Sequence, residues 1–175
     1  IKSSAASDVY KRQLLNGCEC EPLLTADHRV LLEFADDIIY GLKAVLKTVD
    51  AQKGIIVIED NKPDAIALME EKLADCDNIE VVTAKTKYPQ GAERQLIYAT
   101  TKRAIHAAML PADAGCIVDN VETLIGIHYA VVEGRPLTER IVTVSGDAVQ
   151  NPGNYISNVK PSFDDDWVVT YDLSD

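Results

Sequence analysis

The sequence predicts an α/β fold built on a parallel sheet, and three observations predict it. Short β-branched runs alternate with longer segments of helical period. The clearest run, Ile55-Ile56-Val57-Ile58, is apolar at every position, as strands covered on both faces are. The stretches between runs are long enough for a crossover helix, which neighbouring parallel strands require.

Residues 1–13 are polar and follow no period; they read as a translated cloning scar, and the credible protein begins near Leu14. Leu14-Leu15-Asn16 reads as a short buried strand that runs into a loop over residues 17–25. Asp27 stands where it would cap a long helix. That helix carries Leu31, Phe34, Ala35, Ile38, Leu42, Val45 and Val49 as one apolar stripe. After the Ile55 run, Pro63 opens a second helix with Ile66, Met69 and Leu73 on its inner face. Residues 79–83 read as a strand, 85–91 as a loop and 92–99 as a helix.

Residues 111–115 are turn-like, and residues 119–132 read as another helix with Leu124, Ile127, Ala130 and Val131 inward. Gly134-Arg135-Pro136 then breaks the chain. Beyond it, residues 140–145 alternate like a strand, and Asn151-Pro152-Gly153-Asn154 signals a turn. The change from β/α to turn-rich β places a domain boundary near Pro136, with residues 14–136 as the α/β core and 137–175 opening a second domain. Residues 164–175 show no clear pattern.

The chain of 175 residues carries a formal net charge of -11 and a sequence pI near 4.6. Such a chain repels phosphate backbones, which argues against nucleic-acid binding through a basic face. No apolar run approaches the ~18 residues a membrane span needs, and the N-terminus lacks the pattern of a signal peptide. The cysteines, Cys18, Cys20, Cys76 and Cys116, form neither a C-x-x-C pair nor the run that holds an iron–sulfur cluster. Their scatter suits free thiols in a reducing compartment, and no metal site is expected.

Ligands of open parallel sheets bind at the carboxyl ends of the strands. That rule points to three loops, over residues 16–25, 85–93 and 119–123. In Asn16-Gly17-Cys18-Glu19-Cys20-Glu21-Pro22, Asn16 offers donors and an acceptor to a heterocycle edge, and Glu19 and Glu21 share a face if the segment is extended. From spacing alone, a solvated acidic loop is the favoured reading there. In Lys85-Thr86-Lys87-Tyr88-Pro89-Gln90-Gly91, two lysines, an aromatic ring and a glycine precede a helix N-terminus, which suits a phosphate and a flat ring. An ordinary strand-to-helix turn has the same composition. In Asp119-Asn120-Val121-Glu122-Thr123, a helix cap with no ligand accounts for the pattern. No G-x-G-x-x-G, no P-loop and no triad spacing is present, and His28, His106 and His128 receive no chemistry.

Taken together and in order, these segments carry a resemblance. Asn16-Gly17-Cys18-Glu19-Cys20-Glu21-Pro22-Leu23-Leu24-Thr25-Ala26-Asp27-His28-Arg29, Lys87-Tyr88-Pro89-Gln90-Gly91-Ala92-Glu93-Arg94-Gln95-Leu96, Asp119-Asn120-Val121-Glu122-Thr123 and Gly146-Asp147-Ala148-Val149-Gln150-Asn151-Pro152-Gly153-Asn154-Tyr155 resemble four motifs of the family of Rnf complex C subunits. That family is related to the NADH-oxidising flavoprotein subunit of respiratory complex I. The resemblance implies a Rossmann-like three-layer domain that binds FMN and NAD(H), followed by the start of a β-grasp SLBB domain. It implies electron transfer between NAD(H), FMN and [4Fe–4S] clusters, within a membrane complex whose other subunits it meets on the cytoplasmic side.

Carried over by motif, Asn16, Cys18 and Glu19 match the loop beside flavin and nicotinamide, and Glu21 the carboxylate near the dinucleotide. Tyr88, Gly91 and Glu93 match the second flavin-side loop, and Asp119 and Asn120 the pair at the isoalloxazine or phosphate. No side chain of the chain itself is implied as catalytic or as a cluster ligand. The family's glycine-rich flavin loop lies upstream of the Asn16 motif, where the scar stands here, and its cysteine-rich region lies downstream. Cys18 stands where complex I relatives carry Asp, and Ala92 where a second glycine or an acid is frequent. Two further readings stay open on the residues alone: an α/β binding module without cofactor, and the diaphorase subunit of a complex I-like or hydrogenase-linked assembly.

Overall fold

The structure is a computed structural model that describes residues 12–159 and 169–171. The readings of residues 1–11 and, apart from 169–171, of 164–175 lie outside the described residues. In chain order the elements are β1 (Arg12–Gly17), α1 (Ala26–Glu33), α2 (Ala35–Thr48), β2 (Lys53–Glu59), α3 (Pro63–Lys72), β3 (Ile79–Ala84) and α4 (Glu93–Thr101). A 3-10 turn over Pro111–Ala114 precedes β4 (Cys116–Asn120) and α5 (Val121–Val132); β5 (Glu139–Val144), β6 (Gly153–Val159) and β7 (Val169–Tyr171) follow.

The first four strands form one parallel sheet in the order β3-β2-β1-β4. Every residue of β2 after Lys53 is buried, because helices cover both faces of the sheet. On one face Leu15, Ile56 and Ile58 meet α1, α2, α3 and α5 through Leu31, Ile38, Leu42, Met69 and Leu124. On the other, Leu14, Ile55 and Val57 meet Leu96 and Ile97 of α4 and Ala114. Each fully buried aliphatic side chain contributes about 1.5–3 kcal/mol, so these two layers hold the domain together. Helices α2 and α5 pack with almost no side chain between them at Gly41, where a Cβ would stand 2.1 Å from the Leu124 carbonyl oxygen.

Five differences from the sequence reading stand out. Arg12 and Gln13, set aside with the N-terminal residues, are the first residues of β1 and pair with both β2 and β4. Gln13 is a buried polar residue satisfied by Asp119, which composition alone does not reveal. The single long helix is two, because Phe34 leaves the helical region at φ -120 and ψ 29. The apolar stripe runs across that break, so periodicity gives no sign of it.

Asp27 does not cap α1, since the N-cap position is Thr25 and its side chain makes no capping bond. Residues 116–120 form β4, and α5 begins only at Val121 with Asn120 as its cap. Ala130 and Val131 face solvent, and the inward positions of α5 are Val121, Leu124 and Ile125.

Beyond Pro136, β5, β6 and β7 form a separate antiparallel sheet in that order. Among the described residues, hydrogen bonds fasten it to the parallel-sheet body at two points, and Ile141 packs against the main core. Glu122 Oε1 accepts from the Ile141 N–H at 2.7 Å while its Oε2 meets Arg140 Nη1 at 3.0 Å. Asn154 Nδ2 donates to Thr25 Oγ1 at 2.9 Å.

Candidate functional site

The strand order reverses between β1 and β4: the connections on one side run outward through β2 and β3, and the chain then crosses to β4. Such a switch point opens a crevice at the carboxyl edge, where ligands of this architecture bind. Asn16 and Asn120, paired in register, stand at the ends of the two strands that flank it.

The loop after β1 is shaped by its own polar side chains. Asn16 Oδ1 accepts from the Cys18 N–H at 3.0 Å, and Asn16 Nδ2 donates to the Gly91 carbonyl at 2.9 Å. Gly91 is required for that approach, since a Cβ there would stand 2.5 Å from the Cys18 carbonyl oxygen. Loops one and two are therefore joined backbone against backbone. Cys18 itself is buried, with Sγ 3.7 Å from the Val57 carbonyl oxygen. Burial, reinforced by the Glu59 carboxylate, pushes its thiol up to about 12, so it stays neutral.

Glu19 takes the role expected of Asp27. Its two carboxylate oxygens accept from the backbone N–H groups of Asp27, at 2.7 Å, and His28, at 3.1 Å. A carboxylate on the first turn satisfies orphan donors and the helix dipole together. Asp27 instead accepts from Asn120 Nδ2 at 2.9 Å, while Asn120 Oδ1 accepts from the Glu122 N–H and caps α5. Burial beside the Glu19 carboxylate raises Asp27 to about 6. Loops one and three are thus tied through a single carboxylate.

Glu19, Glu21, Leu24, Lys62, Lys87 and Tyr88 are among the residues that line one cavity of about 380 Å³ at this edge. Tyr88 is 69% exposed at its mouth, and a cis Tyr88–Pro89 peptide bond follows it in the second loop. The ends of β2 and α3 supply two residues that sequence reading missed. Glu59 is fully buried, and Lys62 Nζ lies 3.3 Å from its Oε2. Glu59 ends the most strongly apolar run in the chain and Lys62 follows by three residues, but the Asp60-Asn61 turn between them masks the burial of both. His28, given no chemistry, bonds Asp64 Oδ1 through Nε2 at 2.8 Å on the cavity's flank.

The expected site residues separate into groups. Glu19, Glu21 and Tyr88 meet in the cavity. Asn16, Gly91 and Asn120 hold the loops to one another. Cys18 lies beneath the first loop, and Glu93 is the first residue of α4, exposed. Asp119 is drawn to Gln13 Nε2 at 2.5 Å, and burial raises its pKa, while Asn120 reaches Asp27. The structure therefore does not present these two as a pair, because successive strand residues point to opposite faces.

The family described as the Nuo51 FMN-binding domain matches residues 1–129, nearly three quarters of the chain. The chain belongs to that family. The match takes in β1 from its first residue, in accord with the pairing of Arg12 and Gln13. Among curated relatives, the chain is 47% identical over 139 residues to the C subunit of the Na(+)-translocating ferredoxin:NAD(+) oxidoreductase complex of Acetobacterium woodii, covering 79% of this chain and 31% of that protein. It is 44% identical over 152 residues to the C subunit of the proton-translocating ferredoxin:NAD(+) oxidoreductase complex of Clostridium ljungdahlii, covering 87% of this chain and 33% of the relative. The chain thus spans about a third of the length of these relatives. A crystal structure of an NAD+-reducing [NiFe]-hydrogenase in its air-oxidized state superposes with a TM-score of 0.67 at 23% identity, over 83% of this chain and 30% of that one, and shares the fold.

The residues at the edge fit a flavin mononucleotide. The exposed Tyr88 ring offers a stacking face, Lys87 offers positive charge for a phosphate and Glu21 an accepting carboxylate, while Lys62 is held by Glu59 and Glu19. The cavity volume falls within the range of small-molecule sites. The family's nucleotide would thus find an aromatic, a cationic and an accepting group at the edge where the switch-point rule places it.

Proposed function

We propose that this chain is the flavin- and dinucleotide-handling core of the C subunit of an Rnf-type ion-translocating ferredoxin:NAD oxidoreductase. The subunit passes electrons between NAD(H), FMN and [4Fe–4S] clusters held elsewhere in the full-length protein. It sits peripherally on the cytoplasmic side of its membrane-embedded partner subunits. Among the described residues no helix is long and apolar enough to cross a membrane, which agrees with a peripheral place. Residues 137–175 open the SLBB β-grasp domain, a reading supported by the antiparallel β5-β6-β7 sheet.

One observation carries the proposal. Glu19 and Glu21 of the first motif and Tyr88 of the second share one cavity with two lysines at the sheet edge, and the third motif is tied to them through the Asn120–Asp27 bond. FMN, when bound, supplies the exchange between two-electron hydride chemistry and single-electron transfer. The chain's own residues do the holding. Tyr88 would stack on the flat ring, while Asn16 and Asn120 would hold the surrounding loops to one another through their side-chain amides. Lys87 would meet the phosphate, and Glu21 would accept from the dinucleotide. Cys18, as a neutral thiol, excludes water beneath the loop without adding charge.

The experiment is a titration of FMN into the apo full-length subunit, read by quenching of flavin fluorescence. Saturable quenching is expected, weakened roughly three- to tenfold by Tyr88→Ala. A folded subunit that binds no FMN contradicts the proposal and favours a module that has kept the fold without the cofactor.

A further inference from the structure

One ammonium group lies inside the charged floor of the site. The Lys62 side chain is 7% exposed, with Nζ 3.3 Å from Glu59 Oε2 and 3.8 Å from Glu19 Oε2. Its partners are as deeply placed, Glu59 at 0% and Glu19 at 3% exposure. A lysine so enclosed persists only when paired, and removing it would leave carboxylates buried without a counter-charge.

The groups around it come from every neighbouring element. The first loop supplies Glu19, β2 supplies Glu59 and the first turn of α1 supplies Asp27, which in turn faces Glu122 of α5 and accepts from Asn120 at the end of β4; His28 of α1 and Lys87 of the second loop line the same cavity. Carboxylates outnumber the ammonium, and one oxygen of Glu59 has no hydrogen-bond partner among the described residues. Without Lys62, Glu19 would be pushed away from both Glu59 and Asp27, and off the α1 N-terminus where it accepts two N–H groups.

We propose that Lys62 is a positioning residue of the candidate site: its ammonium holds Glu19 on the N-terminus of α1 and Glu59 at the end of β2, and so fixes the first loop against its neighbours. The same charge lowers Asp27 against the rise that burial imposes, and lowers Cys18 likewise, so it is felt across the whole floor. The role extends the flavin reading, because the loop it holds is the candidate flavin loop, but its test needs no flavin.

The test compares Lys62→Met and Lys62→Arg in the full-length apo subunit, with aspartate carboxyl carbons labelled for NMR titration and amide exchange followed in parallel. In Lys62→Met the Asp27 midpoint falls below about 6, because the departing Glu19 carboxylate raises it more than the lost ammonium lowers it, and the Asp27 and His28 amides exchange roughly fivefold faster or more. Lys62→Arg retains the parent values. Should Lys62→Met fail to fold, the double variant Lys62→Met/Glu59→Gln removes both charges and is held to the same two criteria. An Asp27 midpoint that stays or rises overturns the proposal, and so does faster exchange without a shift in the titration, which would mark Lys62 as structural filler. A subunit that passes this test yet binds no FMN would contradict the proposed function alone.

Discussion

Asn120 Nδ2 donates to Asp27 Oδ2 at 2.9 Å and thereby joins the end of β4 to the first turn of α1, across 93 residues of sequence. The same Asn120 caps α5 through its Oδ1. One side chain therefore closes a helix and locks two of the site's loops together. Asn120→Ala removes both bonds. Its expected cost is about 1–2 kcal/mol of unfolding free energy in urea, with an Asp27 midpoint that moves up because a bond that lowers it is gone.

Asp27 also gives the domain a pH signature of unusual sign. Its folded value of about 6 lies above the ordinary 3.8, so the native state holds a proton that the unfolded chain has already released. Between those values the native state binds more protons, and stability falls as pH rises through the window. The loss reaches at most about 3 kcal/mol. Asp27→Asn is expected to flatten that slope in denaturation measured at successive pH values; a slope identical to the parent's would contradict this.

The approach of loop one to loop two leaves no room for a side chain at Gly91. Gly91→Ala is expected to cost about 1–3 kcal/mol through overpacking against backbone and to separate Asn16 from its Gly91 acceptor. Thermal unfolding measures the first effect. The second is read as loss of exchange protection at residues 16–18.

The thiols should differ sharply. Cys18 is buried and pushed up to about 12, whereas Cys20 is only partly buried and lines the cavity. Since the thiolate is the nucleophile, iodoacetamide is expected to label Cys20 in the native protein and Cys18 only on unfolding. Mass spectrometry of the two peptide forms checks the order.

Much of this was legible in the sequence, and what was not has physical reasons. The Ile55 run declared β2 because helices on both faces demand apolar residues at every position. The three loops at the carboxyl edge were picked out because switch-point geometry applies before any side chain is placed. β4 was hidden because Cys116-Ile117-Val118 is short and Asp119-Asn120 reads as a helix cap; Asn120 is in fact the cap, but of a helix starting at Val121, two residues later than the sequence reading. Gln13 looked like part of a polar scar because its burial depends on Asp119, more than a hundred residues away. The Glu59–Lys62 pair was overlooked for a similar reason: Asp60-Asn61 between them marks a turn, and a turn carries no hint that the flanking charges are buried.

The central claim is that FMN is gripped by the loops at the carboxyl edge of the β3-β2-β1-β4 sheet. Hydrogen–deuterium exchange of the full-length subunit with and without saturating FMN tests it most directly. Protection confined to residues 16–25, 85–92 and 119–123, together with the α1 N-terminus, is the predicted result. Tight binding of FMN that leaves those loops unprotected and shields α2 or the β5-β6 sheet instead would contradict the account.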